Sequence, residues 1–315
     1  MNNHIIKYLI GLTIVVISIR PIVAQNSLEG EISISGAFAL YPITVKWADE
    51  FRKIHPDVRI DISAGGAGKG ISDALNEMVD LGMVSREIYP EELGKGAFTI
   101  SVTKDAVVPI ISNNNPLLNS ILIIGIKQSV ANDIWITGKY KTWAQAFGLK
   151  STLPLHIYSR SDACGAAEMW AKYLGKKQED LNGVGVFGDP GLAQAVKRDA
   201  LGIGFNNIGY AYDATTKKQT KGIKVLPIDL NNNGKIDVDE NFYESLNDLI
   251  NAIATNKYPS PPARELYFVS KGKPKNKAVV EFVNWVLTDG QKFVNEAGYI
   301  TLSKEKLIIE RNKLK

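Results

Sequence analysis

Residues 63–73, SAGGAGKGISD, hold four glycines in eleven positions. Glycine weakens any helix or strand it sits in, so packing does not account for them. They follow a strand-like run, Val58 to Ile62, and precede a helical pattern in which Ile71, Leu75 and Met78 fall near the i, i+4, i+7 spacing. A glycine-rich loop that enters a helix leaves backbone N–H groups unpaired at the positive end of the helix dipole, where an anion is stabilised. An ordinary β–α turn has the same outline. A nucleotide-phosphate loop is excluded in detail. That motif needs Gly five residues before its Gly-Lys pair and Ser or Thr after the Lys, and Ser63 and Gly70 stand there.

A second constellation, Arg160-Ser161-Asp162-Ala163-Cys164-Gly165-Ala166, stands just before a helix expected from about Gly165 to Leu174. Arg160 offers a planar fork of donors for an oxyanion, and Asp162 can hold that fork in place. The N–H groups at the helix start face the same point. By itself this is also what an exposed ion pair of little energetic weight would look like. Together with the glycine loop it favours an anion site. Cys164 at a helix start with His156 nearby allows a Cys–His nucleophile. Beyond the leader the only histidines are His55 and His156, and free cysteine is more often a small buried apolar residue.

A third stretch, Asp229 to Glu240, fits the twelve-residue calcium loop of EF-hands. Asp229, Asn231, Asn233, Asp237 and Glu240 put side-chain oxygens at positions 1, 3, 5, 9 and 12, and Gly234 supplies the sharp turn at position 6. Lys235 would offer its backbone carbonyl. The preceding run, Ile223 to Pro227, is strand-like, so the expectation is one structural calcium loop stiffening the segment that leads to a helix over 241–254. An Asn/Gly-rich surface turn is the alternative.

The elements that must position these loops alternate. A strand at Glu31–Ser35 is followed by a helix from near Pro42 with Val45, Ala48 and Phe51 on one face. Then come the strand at 58–62, the glycine loop with its helix, and a strand at Leu81–Val84. This β-α-β-α-β order argues for a parallel sheet covered by helices, with ligands at the carboxyl ends of its strands. The character changes near residue 102. Later strands are expected at Ala106–Ser112, Leu155–Ser159 and Leu266–Ser270, a glycine-spaced strand-like run at 200–212, and a helix at 278–287. The fold class is therefore α/β, with two domains: 28–104 plus 266–315, and 105–265. Two crossovers between them make a hinge and a cleft that can close.

Composition narrows the function classes. Residues 1–24 read as a cleaved secretory leader, with Lys7 before an apolar run and Ala24 before the cut, too short to be a permanent span. No Cys lies near the cut to carry a lipid anchor. Removing the leader takes away Lys7 and Arg20 and no acid, lowering the formal net charge from +4 to +2. That near-neutral balance, without a basic run, argues against nucleic acid. The single cysteine permits no internal disulfide. The charges at Lys304–Lys315 look like the solvated face of a terminal helix.

With its loops in view, the chain resembles the phosphate-binding periplasmic proteins of ABC transporters, a type II periplasmic-binding fold. The segments that carry the resemblance are GAFALYPITVKWADEF (36–51), GGAGKGISDAL (65–75), DLGMVSRE (80–87) and RSDACGAAEMW (160–170). The resemblance implies an anion held by the turn at Phe38 and Ala39, by the loop Ala64–Gly68 with Ala67 and Gly68, and by the turn at Ser85 and Arg86. The Arg-x-Asp-Gly-Ser-Gly-Thr motif of that family falls on Arg160, Asp162, Cys164, Gly165 and Ala166. Several family hydroxyls are absent here, at Phe38, Ala67, Cys164 and Ala166, and the family's proton-accepting acid is replaced at Ser85–Arg86. Lys69 is a further donor. Glu87 and Asp162 are the candidate acceptors for a protonated anion. The resemblance thus implies a monomeric, non-enzymatic receptor, periplasmic or secreted, that delivers phosphate or another oxyanion to an ABC permease. A secreted Cys164–His156 hydrolase and a calcium-dependent surface-interaction protein are the alternatives.

Overall fold

A computed structural model describes residues 28–315; the leader expected at 1–24 lies outside the described residues. Strands β1 (Gly30–Gly36), β2 (Val58–Ala64) and β3 (Leu81–Val84) lie parallel, with β1 in the middle. Helix α1 (Tyr41–Ile54) starts with Pro42 in its first turn, where the missing N–H is no loss. It buries Ile43, Trp47 and Phe51. Of the expected face, Ala48 and Phe51 are buried and Val45 stays half-exposed, while Trp47 supplies the larger apolar surface. Helix α2 (Ala67–Leu75) follows the glycine loop, and α3 (Pro90–Gly94) follows β3.

Strand β4 (Ala97–Ser112) runs sixteen residues, longer than the strand expected from Ala106. Its first part pairs antiparallel with β9 (Ala263–Lys271) and its last part with β7 (Gly202–Asn207). One strand therefore serves both halves of the chain. Between β4 and β9 the chain forms α4 (Leu118–Ile124), α5 (Gln128–Trp135), α6 (Trp143–Phe147), β5 (His156–Arg160), α7 (Gly165–Tyr173), β6 (Val184–Val186) and α8 (Asp189–Arg198). After β7 come α9 (Ile208–Ala211), β8 (Ile223–Val225) and α10 (Leu246–Ala254). Helices α11 (Lys277–Val286) and α12 (Lys304–Asn312) complete it. Among the described residues the strands form one mixed sheet in the order β2-β1-β3-β9-β4-β7-β5-β6, with β8 on β4.

Apolar side chains collect in two cores, one from 32–102 and 266–299, the other chiefly from 106–263. Each makes a lobe, and β4 and β9 pass between them.

Three local expectations are corrected. The run 200–212 is a strand only to Asn207 and then turns into α9. The helix expected from 241 begins at Leu246, capped by the Ser245 side chain, which accepts from the Asp248 N–H. In α12 the terminal charges are not all solvated: Glu310 is buried, accepts from the Ser101 N–H at 3.1 Å and pairs with Lys313 at 2.6 Å.

Candidate anion site

The glycine loop and the Arg160 segment face each other across the gap between lobes. The Gly68 N–H, in the first turn of α2, donates to the Ala163 carbonyl at 3.0 Å, just before α7. A Cβ on Gly66 would sit 3.0 Å from Asp162 Oδ2, and one on Gly68 would sit 2.8 Å from the Ala163 Cβ. The glycines are therefore required by the close approach of the opposite lobe as well as by the turn; Gly66 has φ +93°. Ser85, after β3, is buried against Gly165 at the start of α7. The Tyr210 hydroxyl donates to the Phe38 carbonyl at 3.0 Å, a further contact between lobes. Two nine-residue helices, α2 and α7, thus point their N-termini at one gap.

The donors at that gap are mostly backbone. The N–H groups of Phe38, Ala39, Ala67, Gly165 and Ala166 have no protein acceptor among the described residues. Arg160 ends β5 with its guanidinium fully buried. Its Nε donates to Asp162 Oδ1 at 2.9 Å and its Nη2 to Asp162 Oδ2 at 2.6 Å. Nη1 approaches Asp189 Oδ2 to 2.8 Å, close enough for attraction between charges but without hydrogen-bonding geometry, so among the described residues its N–H groups are buried donors lacking an acceptor. Burial works against the charge, but Asp189 and Asp162 outweigh it and hold the guanidinium firmly protonated. Asp162 is itself fixed by the Gly188 N–H, which donates to Oδ1 at 3.1 Å.

Asp189 was not among the residues singled out in the sequence. It opens α8 within Gly188-Asp189-Pro190-Gly191, and an acid followed by Pro is a helix-start signal that could have placed it. Its partner Asn207, at the end of β7, donates from Nδ2 to Asp189 Oδ1 at 2.5 Å. Nothing local in the sequence announces that contact.

The remaining expected residues divide. The Phe38 ring packs on the edge of Phe187, centroids 5.9 Å apart, and lies 6.0 Å from the Arg160 guanidinium carbon. Ala39, Ala67 and Ala166 are buried at the gap. Arg86 points elsewhere: its guanidinium makes two bonds to Glu92, at 2.9 and 2.7 Å, and lies over the Tyr89 ring. Lys69 pairs with Asp73, which also accepts from the Ser35 hydroxyl at 2.6 Å. Glu87 is exposed and bonds Lys172 of the other lobe at 2.7 Å. Both oxygens of Asp162 are taken up by Arg160. Asp189 is the further buried carboxylate beside the guanidinium.

Cys164 is buried, and its sulfur caps α7 by accepting from the Ala167 N–H at 3.4 Å. Burial pushes the thiol up to about 12, and the helix start does not reverse that. His156 lies at the other end of β5 with Nδ1 on Asp199 at 2.7 Å. Among the described residues no histidine stands beside the thiol, which removes the geometric basis of the Cys164–His156 alternative. Alkylation of the folded protein at pH 8 is expected to be at least tenfold slower than after unfolding, which iodoacetamide labelling followed by mass measurement reads directly.

In the loop 229–240, Asp229 and Glu240 are buried and turned inward. Asp229 accepts from the N–H groups of Asn233 and Gly234, and Glu240 from those of Leu230, Asn231 and Asp237. Asp237 accepts from the side-chain amides of Asn231 and Asn233 and pairs with Lys235 at 2.9 Å. Among the described residues no three His, Cys, Asp or Glu side chains converge as a metal site. A cation here would need the Asn231 and Asn233 oxygens and the Lys235 carbonyl as well.

Comparison with known proteins agrees with this architecture. The chain is 26% identical over 302 residues to the protein SphX of Synechococcus elongatus, covering 93% of this chain and 84% of the relative. It is 24% identical to the phosphate-binding protein PstS of Methanocaldococcus jannaschii, covering 82% and 79%. Among solved structures it is similar to a putative phosphate ABC transporter substrate-binding protein with bound phosphate from Clostridium perfringens, with TM-score 0.70 and 20% identity, covering 87% of this chain and all of that one. An ABC-type phosphate transport receptor from Vibrio cholerae matches at TM-score 0.62 and 18% identity, covering 86% of this chain and all of that one. At such identities the structures bear on the fold alone. The PBP superfamily domain matches residues 23–290, most of the chain, and with the mixed sheet split into two lobes by β4 and β9 this makes the chain a member of the PBP superfamily.

Proposed function

We propose that the chain is a periplasmic receptor that closes its lobes over inorganic phosphate and presents it to an ABC permease. The observation that carries this reading is the convergence of donors from both lobes. Unpaired N–H groups at the starts of α2 and α7 meet the buried Arg160 Nη1, which has no hydrogen-bond acceptor among the described residues. Donors fixed in advance and shielded from water bind an oxyanion more strongly than the same groups in solvent. The phosphate-binding names of the relatives support phosphate over other oxyanions. No step of chemistry is required of any residue. Export through cleavage of the leader after Ala24 belongs to the same reading. Calorimetric titration of residues 25–315 with phosphate, sulfate, arsenate and molybdate tests it: tightest binding is expected for phosphate and arsenate, and binding of none would end it.

The loop 229–240 is proposed to take a structural calcium ion, on its donor spacing and its inward carboxylates. One millimolar calcium is expected to raise Tm by a few degrees relative to chelator, an effect lost in Glu240→Gln, while phosphate affinity changes little. An equal Tm with and without calcium would remove the ion from the account.

A further inference from the structure

A line of buried side chains leads from the anion site to the strands that cross between lobes. Arg160 Nη1 lies 2.8 Å from Asp189, and Asp189 Oδ1 accepts from Asn207 Nδ2 at 2.5 Å. Asn207 Oδ1 accepts from Arg264 Nη2. Arg264 Nη2 lies 3.2 Å from Asp105 Oδ1. Asp105 and Arg264 stand opposite one another in the β4–β9 ladder, where both strands leave one lobe for the other. All five residues are at least nine-tenths buried.

We propose that Asn207 and Arg264 are positioning residues for the anion site, setting Asp189 and through it Arg160, and tying that arrangement to the crossover strands. This rests on the phosphate reading above. The Asn207 amide is the neutral group that can donate to a carboxylate and accept from a guanidinium at once. It thereby joins two ion pairs without adding a charge. Among the described residues the Arg264 guanidinium finds its polar partners through Nη2, while its Nε and Nη1 are buried without acceptors. Its place therefore depends on Asn207 and Asp105, and a turn of β4 against β9 would move it. In a low-dielectric interior such a line is either intact or broken, because each half-made bond is costly. When intact it holds Asp189 beside Nη1 while leaving the Nη1 N–H groups for a guest.

Asn207→Asp keeps the shape and the acceptor for Arg264 but places a second carboxylate against Asp189. Arg264→Met cuts the line at the crossover. In residues 25–315, titrated calorimetrically with inorganic phosphate at pH 8, each variant is expected to lose at least tenfold in affinity. Spin labels at Met78→Cys and Ile123→Cys, exposed positions on opposite lobes, should report incomplete closure with saturating phosphate in both single variants. Unchanged affinity and closure alongside a lowered Tm would show a merely structural role and overturn the inference. A parent that binds no phosphate would overturn the phosphate reading itself, and this inference with it.

Discussion

Replacing Arg160 by Met is expected to remove measurable phosphate binding and to destabilise the protein at the same time. The two effects have one cause. Arg160 is the buried cation beside Asp162 and Asp189, both themselves buried. Without it two carboxylates are left without a counter-charge, and breaking a buried pair in this way costs about 3–5 kcal/mol. A guest would also lose a charged donor. A hydrogen bond to a charged group contributes about 1.5–3 kcal/mol, and the leftover negative charge would repel an anion, so a loss of at least a hundredfold follows. Arg160→Lys separates the effects. It keeps the charge and much of the stability but has no fork to bond Asp162 twice while facing the gap, so affinity should fall further than stability. Denaturant unfolding and calorimetry on the same samples give both numbers. Phosphate binding unchanged in Arg160→Met would put the site elsewhere.

Local chemistry made half of this site legible in the sequence. The glycine loop and the Arg160–Asp162 pair are short-range signals: a turn, a helix start, and two side chains two residues apart. The two segments meet across the lobes, with the Gly68 N–H bonded to the Ala163 carbonyl. The other half depends on contacts between distant residues. Asp189 comes 29 positions after Arg160 and Asn207 another 18, and Arg264 lies 57 beyond that. No periodicity encodes which carboxylate a buried guanidinium will meet. Arg86 shows the converse. Its position after β3 suggests a ligand donor, but Glu92, six residues on, offers a bidentate partner that needs no guest. In the fold, the strands of the first lobe were legible from alternation. Strand β4 was read too short because its first part, Ala97–Thr103, carries Thr and Ser where β9 covers it, so apolar content understated a strand held by backbone pairing. Val45 gave way to Trp47 on α1 because burial follows apolar area, not spacing alone.

Adding a single methyl group at Gly165 is expected to prevent closure without harming either lobe. Its Cβ would stand 2.0 Å from the Ser85 carbonyl oxygen and 2.3 Å from Ser85 Oγ, atoms of the opposite lobe. Contacts that short do not exist in proteins, and the obstacle at 2.0 Å is backbone, which cannot swing aside. Within its own lobe the change is harmless. Gly165 is the first residue of α7, and alanine favours a helix over glycine by about 1 kcal/mol. Gly82→Ala makes the informative contrast. Its Cβ would meet the Gly70 carbonyl oxygen at 2.2 Å, but both residues lie in the same lobe, so that variant should unfold far more easily. For Gly165→Ala, the Tm without phosphate should hold or rise slightly, while phosphate affinity drops at least a hundredfold and scattering at saturating phosphate stays that of the open form. Gly94→Ala, where a Cβ meets nothing within 4 Å, should match the parent in both. If Gly165→Ala bound phosphate as the parent does, the approach of Ser85 to α7 would not belong to the ligand-bound state, and the donors of the two lobes would have to act from farther apart than the present geometry places them.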